Sequence, residues 1–153
     1  MRLRTQLLDG SVHAIIAFLF AISINGQTPP DFTGHWLQQT NAEQQRQLDI
    51  EQNGKTLRVK TALANSKGTR QLEVTYQIGG PETVYRGLDG DEFHSRSHWD
   101  GSALVFDTVE HEGGRRIPET TVWTLSEDRN SIHVKRQSAK YGKDSFVTYV
   151  RQP

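Results

Sequence analysis

The stretch Leu48-Asp49-Ile50-Glu51-Gln52-Asn53-Gly54-Lys55-Thr56-Leu57-Arg58-Val59 carries two alternating apolar pairs, Leu48/Ile50 and Leu57/Val59, on either side of Asn53-Gly54. Successive side chains of a strand point to opposite faces, so each pair marks one buried face. Asn-Gly favours the left-handed dihedrals of a type I′ turn, and the stretch therefore predicts a β-hairpin turning there. The same grammar continues along the chain. Turn dipeptides recur at Gly79-Gly80, Asp89-Gly90, Asp100-Gly101, Gly113-Gly114 and Tyr141-Gly142, with short apolar alternations between most of them. The cleanest is Leu72, Val74, Tyr76 and Ile78, a half-buried strand ending at Gly79-Gly80-Pro81. Further strands are expected near residues 82–87, 91–99, 102–110, 116–125, 131–138 and 144–151. No stretch holds a helical period over three turns. Residues 41–47 contain Ala42 as their single apolar residue and predict a polar loop or one exposed helical turn. The fold class is all-β, an antiparallel up-and-down meander closing into a barrel of about 8–10 strands.

Residues 1–26 have the layout of a secretory signal peptide. Arg2 and Arg4 precede an unbroken apolar run from Ala14 to Ile22, too short to cross a bilayer, and cleavage fits after Ser23 or Gly26. Residues 27–31, with Pro29 and Pro30, form an extended leader, and residues 32–153 a single domain. The expected location is exported, periplasmic or secreted, with no membrane anchor after cleavage. The whole chain carries 18 basic and 18 acidic residues. Removal of residues 1–26 takes two arginines and one aspartate, leaving a charge near −1 and no field to attract nucleic acid. The chain has no cysteine, which excludes disulfides, thiolate metal sites and cysteine nucleophiles.

Asp31-Phe32-Thr33-Gly34-His35-Trp36-Leu37 contains the Gly-x-Trp pattern that opens the first strand of lipocalins and related calycin barrels. Glycine lets the chain bend at the barrel floor, and the indole plugs it. More specifically, this start, the turn Trp99-Asp100-Gly101 and the run Trp123-Thr124-Leu125-Ser126 resemble short secreted bacterial proteins with a lipocalin-like domain of unassigned function. The resemblance implies a calycin barrel, and for Arg151 a place over Trp36 in a cation–π contact. The Thr-Asp-Tyr element of the second lipocalin motif is absent, and no C-terminal helix pattern follows.

Phe93, Ser95, Ser97 and Trp99 share one face of an expected strand, and His94, Arg96 and His98 share the other. An aromatic and hydroxyl face suits a cavity wall, while the basic face suits solvent. Metal binding by the histidines lacks a third ligand at a marked spacing, and the acidic residues Asp89, Asp91, Glu92 and Asp100 lack EF-hand spacing. Residues 111–116 read as a mobile loop. Arg58, Lys60, Arg70, Lys135 and Arg136 are placed outward, opposite their apolar neighbours. No nucleophile elbow or other catalytic motif occurs, so no enzymatic activity, metal or cofactor is assigned.

The resulting expectation is an exported binding protein for a small, partly apolar or amphiphilic molecule. Tyr76, Phe93, Ser95, Ser97, Trp99 and Trp123 are placed nearest the ligand. Two alternatives stay open: a secreted or envelope interaction or inhibitor module with a filled barrel, and a calycin-type enzyme.

Overall fold

Among the described residues ten antiparallel strands follow one another: β1 (Gly34–Gln38), β2 (Gln45–Asn53), β3 (Thr56–Asn65), β4 (Gly68–Gln77), β5 (Thr83–Arg86), β6 (Glu92–Asp100), β7 (Ala103–Glu112), β8 (Arg115–Leu125), β9 (Ser131–Ser138) and β10 (Asp144–Arg151). The computed structural model describes residues 28–40 and 42–153. The signal sequence expected over residues 1–26 lies outside the described residues. The sheet order is β4-β3-β2-β1-β10-β9-β8-β7-β6-β5, so sequence neighbours pair, β1 pairs with β10, and β4 and β5 are the two edges. The result is a nearly closed barrel with a seam between those edges.

Leu48 and Ile50 face inward beside Leu57 and Val59, as the alternation requires, but the turn between them sits one residue later than its sequence suggests. Asn53 pairs with Thr56, leaving Gly54-Lys55 as the two-residue loop, and Gly54 alone has positive φ, at 57°. Glycine at the first central position is the type II′ arrangement, not type I′. Asn53 stays extended because it completes the ladder. The Gly113-Gly114 turn has positive φ at both residues, 54° and 82°, and joins Glu112 to Arg115 directly. The mobile loop expected over residues 111–116 is thus a tight hairpin end.

Two strand ends also differ from expectation. β2 begins at Gln45, inside the stretch read as polar loop, because the ten-residue β3 offers ladder partners as far as Arg46↔Leu63 and Gln45↔Ala64. Backbone pairing there outweighs the polar side chains. Ile78 leaves β4 and instead makes a single parallel bridge to Ser97.

The floor is built around Trp36, which is fully buried and donates its Nε1–H to the Phe32 carbonyl at 2.9 Å. Phe32 is buried too, stacked on Trp99 at 6.1 Å and edge-on to Trp123 at 5.9 Å. Arg151 Cζ lies 4.2 Å from the Trp36 ring centroid. Its guanidinium also donates to the Thr33 and Arg129 carbonyls at 2.9 and 3.0 Å, so ring and carbonyls together fix it. Gly34 is required here: its φ is 147°, and a Cβ on it would collide with the Arg151 guanidinium.

Candidate ligand cavity

Above the floor the barrel holds a half-open cavity of about 290 Å³. Its lower wall is apolar, made by Leu48, Val59, Val74, Phe106, Trp123 and Val134. These positions follow from strand parity: Leu48 pairs with the inward Trp36, Val59 with Val74 and Trp123 with Val134, so they lie on the inner face. One inward step further up each strand the chemistry changes. Arg46 stands two residues before Leu48, Arg136 two after Val134, and Thr121 opposite Arg136. All three line the cavity together with Glu110, Glu119 and Lys140.

Most of these charges are paired. Lys140 Nζ donates to Glu110 at 2.9 Å and to Glu112 at 3.0 Å, which raises its pKa. Arg136 Nε lies 3.2 Å from Glu119 Oε1 but is misaligned for a hydrogen bond, and Thr121 Oγ1 donates to the same carboxylate oxygen. Arg46 meets no carboxylate within salt-bridge distance among the described residues. The Nε–H groups of both Arg46 and Arg136 are buried without an acceptor among the described residues. An uncompensated buried donor on a cation is costly, and an incoming anion removes that cost.

Besides the exposed Tyr141, three tyrosines line the same space. Burial pushes the Tyr76 phenol well above its ordinary 10.0, and raises Tyr85 as well. Tyr149 is raised by burial and pulled back by the neighbouring Arg46 and Arg136 guanidinium groups. The phenols therefore remain protonated at neutral pH and offer O–H donors to a ligand.

Of the six residues singled out from the sequence, Tyr76, Phe93 and Trp123 line the cavity. Ser95 and Ser97 face inward and are buried, yet neither reaches the cavity surface: Ser95 Oγ is 2.9 Å from Thr108 Oγ1, and Ser97 Oγ has no hydrogen-bond partner among the described residues. Trp99 packs below, on Phe32. Arg136, expected outside, points inward with Ile132 and Val134 because it shares their parity. Arg70 shares the inward parity of Leu72 and Val74 but sits exposed at the rim. Arg46 and Tyr149 had no place in the sequence-based set. Their signal was the two-residue spacing from Leu48 and Val147, which puts them on the inner face of β2 and β10.

His94, Arg96 and His98 lie on the outer face. His94 contacts Glu82 at 2.9 Å through Nδ1 and Glu92 at 3.0 Å through Nε2, and its ring stands 4.7 Å from that of His111. The bonds to Glu92 and then Glu82 raise its pKa above 6.5, and lower both carboxyls below 4.5. The imidazolium contribution is complete below pH 6.5 and is lost as pH rises through the raised value. The carboxylate contribution is present above pH 4.5 and lost as pH falls through the lowered values. The start of β5 is thus pinned to β6 most firmly between about pH 4.5 and 6.5. In an NMR titration the His94 ring is expected to show a midpoint above 6.5, returning toward 6.5 in a Glu82→Gln, Glu92→Gln variant. An unshifted native midpoint would contradict the pairing.

Asp89, Asp91 and Glu110 bring carboxylate oxygens within 4.8 Å of one another. Glu110 is already neutralised by Lys140.

No family model and no curated protein sequence matches this chain. Solved structures do. A secretory abundant heat soluble protein 4 from Ramazzottius varieornatus superimposes with a TM-score of 0.63 at 13% identity, covering 80% of this chain and 95% of that one. A second secretory abundant heat soluble protein from the same organism gives 0.60 at 9% identity, over 78% and 94%. The fatty-acid-binding protein isolated from Manduca sexta gives 0.55 at 13% identity, over 78% and 99%. At these identities the likeness establishes the calycin-type barrel fold alone.

Proposed function

We propose that this protein is an exported, non-enzymatic carrier of a small amphiphile with one anionic head, the lipocalin-like class that its sequence resembles among secreted bacterial proteins. The observation that supports it is the pair of buried, acceptor-less guanidinium Nε–H groups of Arg46 and Arg136, placed directly above an apolar well. The head, a carboxylate or a group of similar charge, bonds Arg46 and Arg136 beside the Tyr149 hydroxyl. The tail descends between Leu48, Val59, Val74, Phe106 and Trp123, with Tyr76 and Phe93 along its side. The volume, near the lower end of the usual ~300–1,000 Å³ for ligand sites, favours a short or medium chain. A fatty acid fits this description and is what one structural neighbour is named for binding. Ser95, Ser97 and Trp99 then act one layer behind the ligand, shaping the wall. Residues 1–26 serve as the signal peptide, residues 27–31 as a leader, and residues 32–153 as the carrier domain.

Native mass spectrometry on the protein purified from its own source tests both halves of this reading. The expected spectrum shows a chain beginning at Ile24 or Gln27, carrying an adduct that dissociates as an organic anion. A chain that retains residues 1–26 would refute export. A clean apo mass that stays unchanged after incubation with octanoate, decanoate and dodecanoate would refute the carrier and favour a filled interaction module.

A further inference from the structure

The sheet is continuous everywhere except between β4 and β5, and residues on both sides of that seam line the cavity. The seam is closed unevenly. At its lower end backbone holds it: Gly79 N donates to Ser97 O at 2.6 Å beside the Ile78↔Ser97 bridge. Halfway up, Thr83 Oγ1 donates to the Thr75 carbonyl at 3.3 Å, and the Tyr76 and Tyr85 rings meet edge-on with centroids 6.1 Å apart. At the upper end one hydrogen bond crosses among the described residues, from Arg70 Nη1 to the Leu88 carbonyl at 2.9 Å.

Leu88 belongs to the turn between β5 and β6, and Gly87, Leu88 and Asp89 cover the cavity from above. That turn is bonded mainly to itself. Gly87 N donates to Asp91 O at 2.8 Å, Gly90 N to Gly87 O at 3.0 Å, and Arg86 Nη1 to Gly90 O at 3.2 Å. Gly87 also packs so closely that a Cβ there would stand 2.5 Å from the Phe93 ring. A short turn tied at its upper end to the neighbouring strand by one exposed side chain opens by local unfolding when that tie breaks, and its own few hydrogen bonds open with it.

We propose that residues 87–91, carried on β5, form a lid through which ligand exchanges along the β4–β5 seam, and that Arg70 is its latch. This rests on the cavity being a binding site. Arg70 does not line the cavity, so its loss changes the rates of exchange and not the affinity.

The test uses Arg70→Ala, with Arg70→Lys, which keeps a cationic donor, as the partial rescue. In ligand-free protein the amides of Gly87 and Gly90 are expected to exchange with deuterium about three- to tenfold faster in Arg70→Ala, while the amides of β7 and β8 keep their rates. In stopped-flow mixing with 8-anilinonaphthalene-1-sulfonate, association and dissociation are both expected to accelerate by a similar factor, leaving Kd within about twofold. Unchanged exchange at Gly87 and Gly90 would overturn the lid, whether or not the dye binds. Faster amide exchange with unchanged dye kinetics would overturn the seam as the route. So would dye kinetics accelerated by Tyr141→Ala, at the opposite side of the mouth, and not by Arg70→Ala. Failure of the dye and of decanoate to bind the wild type would count against the carrier function, and the deuterium measurement would still decide the lid.

Discussion

Trp36→Ala is expected to lower the free energy of unfolding by about 3–5 kcal/mol in a denaturant titration. The indole is completely buried, and two other groups depend on it. The Phe32 carbonyl loses its donor, the Arg151 guanidinium loses the ring beneath it, and the space left cannot be refilled by the short β1 strand. The cation–π part alone is worth about 0.5–2 kcal/mol. Trp36→Phe keeps a ring under Arg151 and forfeits the hydrogen bond, so it is expected to fall between wild type and alanine. A midpoint unchanged by Trp36→Ala would remove this residue from the floor.

Arg46→Leu is expected to act in opposite directions on binding and on stability. Affinity for decanoate should fall about tenfold to a hundredfold, the worth of a hydrogen bond to a charged group at roughly 1.5–3 kcal/mol. Affinity for decanol, which has no charge to satisfy, should change little. The unfolding free energy of the empty protein should meanwhile rise by about 1 kcal/mol, because the substitution removes a guanidinium that has no counterion and a buried Nε–H without an acceptor among the described residues. Arg136→Leu is the contrasting case. It strands Glu119, which now faces Arg136 at 3.2 Å, and is expected to lower both stability and decanoate affinity. Calorimetric titration and thermal melts of the two variants read all four signs. Equal decanoate affinity in wild type and Arg46→Leu would sink the assignment of the head-group site.

The barrel was legible because apolar parity and turn dipeptides are local signals. Leu48/Ile50, Leu57/Val59 and Leu72/Val74/Tyr76 each show their buried face without reference to any other strand, and Gly34-x-Trp36 locates the floor. The binding-site chemistry was harder to read. Arg136 carries the same parity as Ile132 and Val134, yet its charge argued for solvent. Only the facing strand supplies Glu119 and Thr121, which make an inward guanidinium tolerable. Arg46 was hidden for a related reason: the polar run around it looks like a loop until β3 provides a ladder. Ser95 and Ser97 show the converse limit. Parity placed them inside correctly, but depth along the barrel depends on how ten strands stagger, and that put them below the cavity wall.

The sheet order has a consequence for how the chain reaches its native state. β1 to β4 and β5 to β10 are runs of sequential hairpins, whose contacts are local and form early. The pairing that joins these two halves, β1 with β10, connects residues as distant as Trp36 and Arg151. Closure of that longest loop comes last, since its entropy is recovered only when both halves already exist. The molecule is therefore two prefabricated half-shells, and the meeting of β1 with β10 is what turns them into a container.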